Sequence, residues 1–138
     1  GSYALSPEFI KALDNRVPEI LQTIQKYRID SVEVIGHTDG QPSPGASNLD
    51  LLLPNASRST TLSGYRAGSN TDLGLLRALA VAHHLKGQLD PEDKIGLTIR
   101  PYSAGSLIAN DGAYAPADKS DRAERRRIEL RFTRQQEG

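Results

Sequence analysis

Apolar residues recur every three to four positions near the start of the chain: Phe9, Ile10, Leu13, Val17, Ile20, Leu21 and Ile24. This spacing predicts an amphipathic helix running to about Lys26. Ser6-Pro7-Glu8 supplies its start, with serine as N-cap, proline at the first helical position and an acid in the first turn. Pro18 interrupts the stripe, so a kink or a break into two shorter helices is expected there. Ser31 to Ile35, with Val32, Val34 and Ile35, reads as a strand that exits through Gly36 to Gly40. Residues 41–69 lack regular pattern and are rich in Ser, Gly, Asn and Pro; they read as a long inserted loop with one helical turn near Leu49–Leu53.

A second helix start follows at Ser69-Asn70-Thr71-Asp72, in capping-box style. Its apolar face is set by Leu73, Leu76, Leu79, Ala80 and His83, and it is expected to end near Lys86 with Gly87 as C-cap. Pro91-Glu92-Asp93 makes a turn, after which Ile95, Leu97 and Ile99 alternate with Gly96, Thr98 and Arg100 as a half-buried strand. Tyr102 to Lys119 reads as loop and Ser120 to Glu124 as one helical turn. Ile128, Leu130 and Phe132 alternate with Arg127, Glu129 and Arg131 as a closing strand. The order helix, strand, helix, strand, strand predicts an α/β (α+β) two-layer sandwich, a small mixed sheet with helices packed on one face. The pattern leaves room for a further strand ahead of Tyr3. "SNLDLLLPN" and "SNTDLGLLRA" look alike, but Pro54 blocks helix continuation in the first, so they are not read as a repeat.

Length narrows this to one domain over residues 1–138. Gly1-Ser2 reads as a tag scar, the chain as an excised fragment, and any targeting or anchoring segment is expected outside it. Lysine plus arginine equals aspartate plus glutamate, 17 each, so no global basic field draws in nucleic acid. The absence of cysteine removes thiol catalysis, disulfides and cysteine-based zinc sites. No GxSxG, HExxH or P-loop pattern occurs. Gly105 and Gly112 are too far apart for a phosphate fingerprint, and the arginines of 122–134 interleave with Asp121, Glu124 and Glu129 as a strand's solvated face. His83 and His84 point to different sides of a helix, so no histidine-rich metal site is expected.

The candidate chemistry lies in Gly36-His37-Thr38-Asp39-Gly40 and in Arg77. An anionic acceptor at a strand exit and a guanidinium fork on the helix that packs back over it would form a receptor for a zwitterion, ammonium on Asp39 and carboxylate on Arg77. The same residues also suit a turn and a helix surface, or a direct ion pair. His37 suits a general base or metal ligand less well than a half-buried histidine holding the loop by hydrogen bonds.

Gly36-His37-Thr38-Asp39 after a strand, then Asn70-x-x-Leu73-x-x-x-Arg77-Ala78-x-x-Val81, then Arg126-Arg127-Ile128-Glu129-Leu130 as a closing strand, resemble the OmpA-like C-terminal domain family. The three motifs stand in the family's order, and the likeness spans the first helix to the last strand except 41–69. The resemblance implies a non-enzymatic, periplasmic peptidoglycan anchor without a cofactor, of the kind carried by outer-membrane proteins, lipoproteins and flagellar stator subunits of the MotB type. It implies that meso-diaminopimelate of the stem peptide is the ligand, with Asp39 on its ammonium and Arg77 on its carboxylate. Thr38 and Asn70 then match positions that orient the ligand or the loop around it, and Arg126 and Arg127 match the twin arginines of the last strand. Gly74 departs from the family's usual serine, and Arg125 from its usual asparagine. The 41–69 segment departs most; it suits a lid, a partner surface or a homodimer contact. The rival expectations are a wall-peptide hydrolase using His37 and Asp39, and an interaction or dimerisation domain of a stator-like complex with a degenerate wall site.

Overall fold

Ser6 caps the first helix, its Oγ accepting the Phe9 amide at 3.1 Å with proline next in line. In the computed structural model, which describes residues 4–38, 65, 67–105, 107 and 127–135, helix α1 runs unbroken from Pro7 to Tyr27. The break expected at Pro18 is absent. Pro18 lies on the exposed side, where water can serve the carbonyl that lost its amide donor, while Leu13, Ile20 and Ile24 hold both halves on one core. Arg28 closes the helix in the left-handed region at φ 52°, donating its amide to the Ile24 carbonyl.

Strand β1 (Ser31–His37) follows at once and is central. Helix α2 spans Asn70–Leu89, strand β2 Thr98–Gly105 and strand β3 Arg127–Thr133. The sheet order is β2-β1-β3, with β2 parallel and β3 antiparallel to β1. Both helices pack on the face presented by Val32 and Val34, which are fully buried. This is the small mixed sheet with helices on one face that the element order predicts. Of the expected loop at 41–69, residues 41–64 and 66, with the turn at Leu49–Leu53, lie outside the described residues, as does the turn at Ser120–Glu124.

Four boundaries differ from expectation. Strand β1 continues through Gly36 and His37 because it is flanked on both sides, by Ser103 and Gly105 and by Ile128 and Arg127. Helix α2 passes Gly87 and ends at Leu89, whose side chain is buried, with Asp90 as C-cap. The Asp90 carboxylate accepts the Ile95 and Leu97 amides, each at 3.0 Å, and Lys86 Nζ at 3.0 Å. Those amides therefore belong to the cap, so β2 starts only at Thr98 and Ile95 is left half exposed. At its far end β2 runs on to Gly105 beside β1, and Pro101 is tolerated because β2 is an edge strand among the described residues.

The expected apolar face of α2 is too narrow. Ala78, Val81, Ala82 and Leu85 are buried along with Leu73, Leu76 and Leu79. Gly74, Ala78, Val81 and Leu85 recur at helical spacing and grow in size, so the helix lies closest to the sheet at Gly74. There a Cβ on Gly36 would overlap the Gly74 carbonyl, and a Cβ on Gly74 would stand 2.5 Å from Ser103 Oγ and 2.9 Å from the Gly36 carbonyl oxygen. His84 Nε2 donates to Asp14 Oδ1 at 2.6 Å and bridges α2 to α1.

Gly36→Ala is expected to destabilise by about 3 kcal/mol because backbone, not a flexible side chain, must yield. Gly87→Ala, at an exposed helical position with nothing within 4 Å, is expected to stabilise by about 0.5–1 kcal/mol; urea denaturation reads both. The Ile95 amide foremost, with the Leu97 amide and the Lys86 ammonium, holds the Asp90 carboxyl well below the usual carboxylate range. The unfolded chain therefore takes up this proton first, and stability is lost as pH falls below about 4. Asp90→Ala is expected to lower the neutral-pH Tm and to flatten that acid limb in thermal melts at stepped pH.

Candidate functional site

Parallel pairing of β1 and β2 brings both strand exits to one edge, and α2 begins over that edge. Ser69 caps α2 through the Asp72 amide at 3.1 Å, and Asp72 Oδ2 accepts the Gly68 amide at 2.9 Å, a reciprocal cap that aims the chain into the helix. Gly105 sits at φ +53°, where a Cβ would be 3.1 Å from Thr71 Oγ1, so the end of β2 lies against the first turn of α2. A bulge sets this meeting: Gly36 pairs with Ser103 but His37 with Gly105, leaving Ala104 over. The Thr38 amide then donates to the Gly105 carbonyl at 2.7 Å.

Thr38 is buried at this exit, and Asn70 opens α2 beside Thr71, partly buried. Arg77 stands one turn beyond the Gly74 crossing; the residue is partly exposed, but its Nη1 is sealed from solvent. Arg127 begins β3 directly opposite His37. Thr38, Asn70 and Arg127 thus share the exit end, with Arg77 slightly deeper along α2. Asp39 and Arg126 lie outside the described residues.

Two contributors escaped the sequence reading. Glu129, taken there as part of a solvated strand face, lies 3.2 Å from His37 Nε2 through Oε1, and its Oε2 accepts Arg131 Nε at 2.7 Å. The period-two pattern placed Glu129 and Arg127 on one face, but only the β1–β3 register shows His37 there too. Gly105, considered for phosphate binding alone, is where the end of β2 packs against the first turn of α2. Burial foremost, then the Arg127 charge, pushes the His37 pKa below its ordinary value against the opposing pull of Glu129. The Glu129 carboxyl is held below its usual range chiefly by Arg131.

Among the described residues no group of three or more His, Asp or Glu side chains could hold a metal ion, and no helix is long and apolar enough to cross a membrane.

No protein-family model matches the chain, and no curated protein matches it. Among solved structures it is similar to a crystal form of the C-terminal domain of Helicobacter pylori MotB (residues 125–256), with TM-score 0.55 and 22% identity over 98% of this chain and 80% of that one. At this identity the likeness is one of fold.

Gly105→Ala combines a left-handed backbone angle with contact against Thr71. It is expected to cost about 1–2 kcal/mol and to shift the Thr38 amide resonance more than amides near Asp90.

Proposed function

We propose that the chain is a non-catalytic wall-binding module, one domain over residues 1–138, that holds peptidoglycan through the diaminopimelate of the stem peptide and anchors a parent envelope protein in the periplasm. The MotB-like fold supports this reading, as does the order of the three motifs. The observation that carries it is the convergence of the β1 exit, delivering Thr38, with the N-terminal turns of α2, bearing Asn70 and Arg77. In this reading Asp39 takes the ligand ammonium and Arg77 its carboxylate, while Thr38, Asn70, Arg126 and Arg127 orient the ligand or the surrounding loop. Charge-assisted hydrogen bonds contribute about 1.5–3 kcal/mol each, so two of them give an affinity on the order of micromolar to millimolar. Many wall sites make that sufficient for tethering.

The likeness to the MotB domain also favours a second reading: an interaction or homodimer domain of a stator-like complex whose wall site has degenerated. One experiment separates the two. Asp39→Ala and Arg77→Ala are expected to abolish co-sedimentation with insoluble peptidoglycan while the circular-dichroism spectrum stays native. Undiminished sedimentation in both variants rules this site out, and no sedimentation of the wild type favours the second reading.

A further inference from the structure

Strand β3 pairs with β1 on one side, and among the described residues nothing pairs with its other side. Its apolar residues are also incompletely covered. Ile128, Leu130 and Phe132 lie opposite Gly36, Val34 and Val32, so they point at the helix layer. There they are only partly buried, whereas Val32 and Val34 are fully buried. A groove of about 380 Å³ lies between them and Phe9, Leu13 and Ile20 of α1. A strand added beside β3 would cover that groove.

The two sheet edges are not alike. The β2 edge carries Pro101 and the bulge at Ala104, and both discourage a further strand. Strand β3 keeps an unbroken register from Arg127 to Thr133 and contains neither.

The sequence of β3 matches itself in one register. On the face away from the helices it carries Arg127, Glu129, Arg131 and Thr133. A second β3 laid antiparallel must keep apolar residues beside apolar ones, so the register moves only in steps that preserve the faces. Centred on Leu130, Glu129 stands opposite the second copy's Arg131, Arg131 opposite its Glu129, and Ile128 opposite its Phe132. Centred on Glu129 instead, two glutamates meet and Arg127 faces Arg131; centred on Arg131, two arginines meet. Like charges directly opposite are destabilising, so the register about Leu130 is favoured. Within one chain Glu129 Oε2 already accepts Arg131 Nε at 2.7 Å, and the two side chains are 36% and 62% exposed. Two such pairs meeting about a two-fold axis form a cluster of alternating charge. The axis stands perpendicular to the sheet, so both helix layers stay on one side and the two grooves merge into one apolar seam.

We propose that β3 is a self-pairing edge: two copies of this chain join their β3 strands antiparallel about Leu130 into one continuous sheet. This does not depend on the wall reading.

Sedimentation equilibrium of the wild type from about 10 μM to 1 mM is expected to show a monomer–dimer equilibrium. Glu129→Arg and Arg131→Glu each set like charges opposite one another, and each is expected to weaken association about tenfold or more. Mixed in equal amounts, the two variants set arginine opposite glutamate at both positions, and they are expected to associate again. If either variant loses its native circular-dichroism spectrum, Leu130→Cys serves. The chain has no cysteine, and position 130 meets itself at the axis, so air oxidation is expected to link Leu130→Cys into a covalent dimer and to leave Thr98→Cys, on the β2 edge, largely unlinked. Wild type that stays monomeric overturns the proposal, whether its outward β3 amides exchange freely with deuterium or are protected by a segment of the same chain. A dimer that neither charge reversal weakens, a mixture of folded variants that does not associate, or equal cross-linking of the two cysteine variants overturns it as well.

Discussion

The arrangement depends on one contact in which two backbones meet without side chains between them. At the Gly36–Gly74 crossing α2 rests directly on β1, and neither position has room for a Cβ. From there the sheet-facing stripe of α2 widens through Ala78 and Val81 to Leu85, so the helix is nearest the sheet at its N-terminal end. That end is the edge where β1 and β2 finish. Thr71 is thereby set on Gly105, Gly105 on Thr38, and Arg77 one turn along. A residue larger than glycine at position 74 would collide with Ser103 and the Gly36 carbonyl.

The opposite end is held by polar capping. Asp90, buried at the end of α2, gathers two amides and the Lys86 ammonium, and Lys86 Nζ also reaches Asp93 Oδ1 and the Leu97 carbonyl, each at 2.8 Å. Buried carboxylates are tolerated only when so satisfied. The two ends thus divide the work. One closes the loop between α2 and β2 with hydrogen bonds, and the other presents strand exits, an opening helix and the partly unsatisfied His37. Sites of binding commonly sit where strands end and helices begin.

Hydrophobic period alone determined much of this protein. The stripe from Phe9 to Ile24, the β-branched run at Ser31–Ile35 and the alternation of Ile128, Leu130 and Phe132 each set an element type, and Ser6 and Ser69 marked both helix starts. These are properties of single segments, so they can be read one segment at a time. The order of the elements then fixed the fold class.

Tertiary structure decided what depends on two segments meeting. Pro18 stays helical because the core holds residues on both sides of it; Gly87 is passed because Leu89 finds a buried place; β2 begins late because Asp90 claims the amides before it. His37 and Glu129, 92 positions apart, become partners only through the β1–β3 register. In isolation Gly36 reads as part of a strand exit, and nothing local ties it to Gly74. Steric exclusion makes them the tightest contact among the described glycines, and exclusion acts between elements, where a linear pattern carries no record of it.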